Sequence, residues 1–246
     1  MKRIEVTGQY GIGDCIHQRA VVRELMKTQK VTLQTFYTAM YHDLVDEGLH
    51  LVFRGRLEPR IADAGNRDRP ANRVAPIAPV RIGYTPEMTR EYGSIIAAQY
   101  ASVGLKCPEH PNFRLPVKAA WREAAREALD RYAPDRDRRK PIMVLRPPVL
   151  NRIWHAPARA PDTTAYERLF RSIRDRFFAV SLCHLGLGGE YMLGNDLGAD
   201  LKLHRGELEF EAIAGLFAEA ALVFGNPGFV PILAQAVGTP VICVYG

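Results

Sequence analysis

Three glycines and an aspartate lie between the first predicted strand and the first predicted helix, where Gly8–His17 reads GQYGIGDCIH. Glycine lets the backbone turn tightly and approach a ligand closely. The free N–H groups at the start of a helix favour an anion. The carboxylate of Asp14 is able to take a proton from a reacting hydroxyl, but aspartate is also a favoured N-cap residue. The glycine spacing is not the full dinucleotide-binding pattern, so catalysis and capping are equal alternatives for Asp14.

Alternating strands and helices position this stretch. The apolar pattern predicts strands at Lys2–Thr7, Val31–Phe36 and His50–Phe53, with helices at Asp14–Lys27 and Ala39–Glu47 between them. Strands that are separated by helices pair in parallel. The pattern therefore predicts βαβ units and a doubly wound α/β sheet.

A charged stretch, Pro134–Lys140, is the hinge candidate that divides the chain. Before it we predict one helix over residues 86–103 and another at Lys118–Tyr132. A second series of strands and helices follows the hinge. We therefore predict an N-terminal domain of residues 1–138 and a C-terminal domain of residues 139–246.

The composition is that of an ordinary globular protein, since 47% of its 246 residues are hydrophobic and 24% are charged. No apolar run reaches the ~18 residues of a membrane span, and no long apolar signal core is present. The four cysteines are scattered and form no paired or metal-binding spacing, so we expect reduced thiols and a cytoplasmic protein. The net charge of +6 suits an anionic partner such as a nucleotide, a phosphorylated lipid or nucleic acid.

Three segments together resemble a known family. Gly11-Ile12-Gly13-Asp14-x-x-His17 is similar to the opening signature of the lipopolysaccharide heptosyltransferases and their relatives in glycosyltransferase family nine. Residues 221–226 and 234–246 resemble the closing block of that family. Arg152-Ile153-Trp154 stands where the family carries Lys-x-Trp. The resemblance implies two Rossmann-like domains that face a cleft, the GT-B type, with a shortened C-terminal part.

The resemblance also implies roles for residues in both domains. The N-terminal domain would bind the acceptor, with Asp14 as the catalytic base and with Gly13, His17 and Arg19 on the acceptor side. The C-terminal domain would bind a nucleotide-sugar donor. We assign donor and phosphate binding there to Arg152, Trp154, Gly186, Glu190, Gly225, Asn226, Gly228 and Phe229.

The donor residues would contact different parts of the nucleotide-sugar. Arg152 would bind the diphosphate as a bidentate cation, Trp154 would stack on the base, and Glu190 would bind a ribose hydroxyl. Residues 225–229 would offer backbone N–H groups to the phosphates. The alternatives are a structural role for His17, a solvated side chain for Arg19, partial burial under the loop for Trp154 and a plain surface turn for Glu190. We expect no metal and no cofactor, with the nucleotide-sugar as co-substrate.

One departure from the family pattern keeps the function open. The family continues from Gly-Asn into Asp-Ser/Thr-Gly-x-x-His, but residues 227–232 read PGFVPI. The leading hypothesis is a metal-independent glycosyltransferase acting on a hydroxyl acceptor. One alternative is the same scaffold modifying phage-type DNA bases, motivated by six arginines within residues 54–73. The other is a non-catalytic nucleotide-binding protein.

Overall fold

The computed structural model describes residues 1–54, 80–151, 160–185 and 190–246, with the side chain of residue 151 left out. Within these ranges the chain divides into two compact units, Met1–Leu115 and Pro116–Gly246. Each unit contains one parallel sheet with helices. The predicted α/β class is confirmed.

The first unit is built on four parallel strands in the order β3-β2-β1-β4. The strands are β1 (Lys2–Thr7), β2 (Gln29–Thr35), β3 (His50–Phe53) and β4 (Val80–Arg81). The helices are α1 (Ile12–Met26), α2 (His42–Asp46), α3 (Pro86–Tyr92) and α4 (Ile95–Ala101), and a 3-10 turn at Thr38–Tyr41 precedes α2.

The single helix predicted over residues 86–103 is two helices in the structure. Gly93 ends α3 with a φ of 76°, a left-handed conformation that glycine adopts without strain. Ser94 then begins α4, because its Oγ accepts a hydrogen bond from the backbone N–H of Ala97 at 3.2 Å. A C-terminal glycine followed at once by an N-cap serine separates the two helices.

The second unit is built on five parallel strands in the order β11-β10-β5-β7-β9, with a separate antiparallel pair of β6 and β8. The strands are β5 (Ile142–Leu145), β6 (Val149–Asn151), β7 (Phe178–Leu182), β8 (Glu190–Met192), β9 (Leu201–Leu203), β10 (Leu222–Gly225) and β11 (Val241–Cys243). The helices are α5 (Ala119–Tyr132), α6 (Thr163–Arg174), α7 (Phe210–Glu219) and α8 (Phe229–Val237). Tyr166 and Phe170 of α6 pack on Phe224 of β10 in its core.

Helix α5 belongs to the second unit, although the sequence placed it in the first domain. It packs on α7, where Arg122 Nη1 donates to Glu219 Oε1 at 2.8 Å and the ring of Trp121 meets that of Phe210 edge-on. The structural division lies between Leu115 and Pro116, whereas the sequence predicted a boundary after residue 138. The charged stretch Pro134–Lys140 follows α5 inside the second unit.

No helix in the described part of the chain is both long enough and apolar enough to cross a membrane.

The close packing of α5 on α7 depends on Gly215. A Cβ added there would lie 2.0 Å from the backbone oxygen of Trp121, far inside van der Waals contact. We expect Gly215→Ala to lower the free energy of unfolding by about 3 kcal/mol, because one helix must move away from the other. Urea unfolding followed by circular dichroism measures the change. Gly228→Ala is the matched control, since a Cβ at Gly228 meets nothing within 4 Å; equal losses in both variants would contradict the prediction.

Candidate functional site

The strand order of the first sheet opens a crevice next to β1. The chain leaves β1 towards β2 and β3 on one side, and β4 pairs with β1 on the other side. Ligands of open α/β sheets bind outside the carboxyl ends of the strands at such a switch point. The loop between β1 and α1 and the residues that follow β4 meet at this point, so the glycine-rich stretch found in the sequence lies where a ligand site is expected.

Asp14 lies in the first turn of α1 at this switch point. The N-cap residue is Gly11, so Asp14 does not take the N-cap position itself. A negative charge in the first turn is still favoured by the helix dipole. The hydroxyl of Tyr84, three residues after β4, donates to Asp14 Oδ1 at 3.1 Å. A Cβ at Gly11 would lie 2.8 Å from Asp14 Oδ2, so the glycine leaves room for the carboxylate.

Buried hydrogen bonds hold the loop that carries Asp14. The backbone N–H of Gln9 donates to Gln18 Oε1 at 2.7 Å, and Gln9 Nε2 donates to the oxygen of Ile82 at 2.6 Å. Gln18 Nε2 in turn donates to the hydroxyl of Tyr41 at 2.8 Å. A side chain at Gly8 would lie 2.7 Å from Gln18 Nε2. Tyr84, Gln9 and Gln18 were missed by the sequence analysis because isolated polar residues form no motif.

His17 lies one turn after Asp14 and is partly buried. Its ring packs edge-on against Phe113 with the ring centroids 5.2 Å apart. Its Nδ1 is buried, and no described residue is hydrogen-bonded to it. Burial lowers the pKa of His17 to about 4, so the ring is neutral near pH 7. Gly13 lies in the same first turn and is buried.

Arg19, predicted on the acceptor side, lies in the interior with 0% of its side chain exposed. Its Nη2 donates to both carboxylate oxygens of Asp43 at 2.9 and 2.8 Å, and its Nε and Nη2 donate to the backbone oxygen of Arg114 at 3.1 and 2.7 Å. Its Nη1 donates to the oxygen of Met40. Burial lowers the pKa of Arg19, and the carboxylate of Asp43 opposes that shift. We therefore assign Arg19 a structural role and leave it out of the candidate site.

The second sheet has its own switch point, between β5 and β10. The chain leaves β5 towards β7 and β9, whereas β10 and β11 lie on the other side of β5. Gly225 ends β10 at this point, Asn226 follows as a buried residue, Gly228 is the N-cap of α8 and Phe229 is its first residue. Four of the eight predicted donor residues therefore lie together at a position where ligands bind.

Arg146 is a residue of this switch point that sequence reasoning missed. It directly follows β5, and its guanidinium carbon lies 5.4 Å from the ring centroid of Phe229. A Cβ at Gly225 would lie 3.1 Å from Arg146 Cβ, so the glycine allows this close approach. Arg146 Nη2 donates to Glu190 Oε1 at 2.5 Å. Glu190, predicted to bind a ribose, is thus the ion-pair partner of Arg146.

The remaining predicted donor residues, Arg152, Trp154 and Gly186, lie outside the described residues. Within the described ranges no group of three or more histidine, cysteine, aspartate or glutamate side chains is arranged to hold a metal ion.

Comparison with known proteins identifies the fold. No protein-family model matches the chain, and no curated protein sequence is significantly similar to it. Solved structures do match: ADP-heptose lipopolysaccharide heptosyltransferase II of E. coli has a TM-score of 0.63 and 16% identity, over 100% of this chain and 85% of that one. This chain has the heptosyltransferase fold. The likeness that the opening and closing motifs suggested is confirmed at the level of the fold.

Two further structures share this fold. The family 9 glycosyl transferase of Veillonella parvula has a TM-score of 0.57 and 11% identity, over 98% of this chain and 80% of that one. The dodecameric iron-containing heptosyltransferase TibC, solved in complex with ADP-D-β-D-heptose, has a TM-score of 0.63 and 12% identity. That match covers 100% of this chain and 58% of TibC.

The buried ring of His17 makes the stability of the protein depend on pH. The pKa of His17 is lowered from 6.5 to about 4, so between these values the unfolded chain binds a proton that the folded chain does not. The free energy of unfolding therefore falls as the pH decreases through this window, by up to about 3 kcal/mol. Urea unfolding from pH 7 to pH 4 should show a smaller decrease for His17→Gln than for the wild type. His50→Gln, at an exposed position, is the control and should show the same decrease in the free energy of unfolding as the wild type. The same decrease in His17→Gln would contradict the prediction.

The interior charge of Arg19 makes Asp43 important for stability. We expect Asp43→Asn to lower the free energy of unfolding by about 3 kcal/mol, because it leaves a buried guanidinium without its counter-ion. Asp46→Asn, an exposed change of equal charge at the end of α2, should change it by less than about 0.5 kcal/mol. Denaturant midpoints of the two variants measure the difference, and a stable Asp43→Asn protein would show that Arg19 does not need this partner.

Proposed function

We propose that the protein is a glycosyltransferase that transfers a sugar from a nucleotide-sugar donor to a hydroxyl acceptor, without a metal ion. The observation that carries the proposal is the place of the Asp14 carboxylate, which lies at the switch point of the first sheet beside the Tyr84 hydroxyl, in a chain with the fold of the heptosyltransferases. A carboxylate at the carboxyl edge of a parallel sheet is placed to meet a bound ligand.

Asp14 acts in this proposal as the general base. The acceptor hydroxyl must lose a proton while its oxygen attacks the anomeric carbon, and a carboxylate within hydrogen-bond reach takes that proton. Tyr84 orients the carboxylate through its hydroxyl. His17, neutral near pH 7 because burial lowers its pKa to about 4, is assigned to the acceptor side as a hydrogen-bonding residue rather than as a cation, together with Gly13.

The donor is assigned to the switch point of the second sheet. The N-cap Gly228 and Phe229 begin α8, and free N–H groups at the start of a helix favour the negative charge of a diphosphate. Gly225 and Asn226 belong to the same donor site, and Arg152, Trp154 and Gly186 keep their sequence-based roles. TibC was solved with ADP-D-β-D-heptose, which favours a nucleoside diphosphate sugar as the donor class.

The comparisons favour sugar transfer over the nucleic-acid alternative, because the three structures reported above are glycosyltransferases by name. Of the arginine-rich stretch 54–73 that motivated this alternative, only Arg54 lies among the residues that the structure describes.

Substitution of Asp14 tests the proposal. Release of nucleoside diphosphate from a panel of ADP-, UDP- and GDP-sugars, in the presence of candidate hydroxyl acceptors and of a chelator, identifies the donor that the wild type uses. Asp14→Asn should then lower kcat about 100-fold or more, since it removes the base and keeps the shape of the side chain. Tyr84→Phe should lower kcat by less than about 10-fold, because it removes only an orienting hydrogen bond.

The exposed Asp46→Asn is the control for the loss of one negative charge and should retain wild-type turnover. Full turnover in Asp14→Asn would show that Asp14 is not the base. Nucleotide binding without turnover of any donor by the wild type would favour the non-catalytic alternative.

A further inference from the structure

Arg146 is held in a fixed position at the switch point of the second sheet. Its Nη1 donates to the backbone oxygen of Leu182 at 3.2 Å, and its Nη2 donates to Glu190 Oε1 at 2.5 Å. Its backbone is fixed as well, since its N–H donates to the oxygen of Phe224 at 2.8 Å and its own oxygen accepts from the hydroxyl of Tyr166. An arginine held at both ends keeps its planar set of donors in one place, as bidentate recognition of a carboxylate or phosphate requires.

The carboxylate of Glu190 balances the positive charge of Arg146. Its Oε1 accepts from Arg146, and its Oε2 accepts from the backbone N–H of His184 at 2.9 Å. The side chains of Arg146 and Glu190 are only 11% and 19% exposed, so water screens the pair weakly. A second anion gains little from a guanidinium that already carries a carboxylate, and the carboxylate itself repels it.

The location of the pair nevertheless favours an anionic ligand. Arg146 follows the central strand β5 at the crevice where a parallel sheet binds its ligands. The guanidinium of Arg146 lies over the ring of Phe229. Phe229 stands at the position where the family pattern has a glycine, within residues 227–232. Among the described residues, this switch point therefore has a cation that lies outside the motif and that is paired with a carboxylate of its own chain.

We propose that Arg146 binds the diphosphate of a nucleotide, and that Glu190 is an internal anion which occupies this position until the diphosphate displaces it. The inference rests on the proposed function in taking a nucleoside diphosphate as the ligand. Glu190 keeps Arg146 satisfied in the empty site, where a buried charge without a partner would be costly. Because the ligand must displace this carboxylate, the site binds nucleotides more weakly than an unpaired arginine would. It therefore prefers a ligand that carries more negative charge than a carboxylate.

Titration calorimetry with inorganic pyrophosphate tests the proposal without any assumption about the base or the sugar. Glu190→Gln removes the competing charge and should tighten pyrophosphate binding about 5- to 10-fold, whereas Arg146→Lys loses the planar pair of donors and should weaken it about 10-fold. The exposed Glu123→Gln on α5 makes the same change of net charge and should leave binding unchanged. ADP, UDP and GDP should show the same order of affinities as pyrophosphate.

The outcomes separate this inference from the proposed function. Weaker or unchanged pyrophosphate binding in Glu190→Gln would show that Glu190 only positions Arg146, and would overturn the displacement. Absence of pyrophosphate binding in both the wild type and Glu190→Gln would overturn the site itself. If Glu190→Gln does not fold, Glu190→Asp replaces it, because a shorter carboxylate moves away from the guanidinium and should tighten binding in the same direction. If Glu190→Gln tightens and Arg146→Lys weakens pyrophosphate binding but the wild type transfers no sugar, only the proposed function is contradicted.

Discussion

The hydrogen bonds of Gln18 are the interaction on which the first candidate site depends. This buried side chain accepts from the backbone N–H of Gln9 and donates to Tyr41, so it ties the loop after β1 to the body of α1 and to the turn that follows β2. Gly8 must lack a side chain for Gln18 to reach the loop. Helix α1 then begins after its N-cap Gly11, and Asp14 in its first turn meets the hydroxyl of Tyr84.

Both sheets repeat one arrangement. In each, the first strand of the sheet lies between the next strand of the same sheet and a strand that the chain reaches after crossing back. The polar residues of interest follow these central strands, Asp14 after β1 and Arg146 after β5. The two residues differ in chemistry, because Asp14 is a carboxylate that accepts from a neutral hydroxyl, whereas Arg146 is a cation neutralised by Glu190. In the proposed function, the first site takes up the proton and the second binds the anion.

Arginine has two different uses in this chain, which composition alone does not separate. Arg19 is part of a motif-bearing helix but lies in the interior, where Asp43 and backbone oxygens take up its donors. Arg146 belongs to no motif and yet lies at a ligand-binding edge of a sheet. Exposure and partners decide between these uses, and both depend on residues distant in the chain. This is why Arg19 was assigned to the acceptor and Arg146 was missed.

The sequence by itself determined the α/β class, most strands and helices and the glycine-rich turn before α1, because these follow from local patterns of apolar residues and glycines. The likeness to the heptosyltransferase fold was indicated by the resemblance of short motifs near residues 11–17, 221–226 and 234–246. Only the tertiary structure decided that α5 belongs to the second unit, that Gly11 rather than Asp14 caps α1, and that Glu190 neutralises Arg146. Each of these depends on a contact between segments that are far apart in the chain or on the exact residue where a helix begins. Local propensity does not encode such contacts, since they form only when the packed elements bring the side chains together.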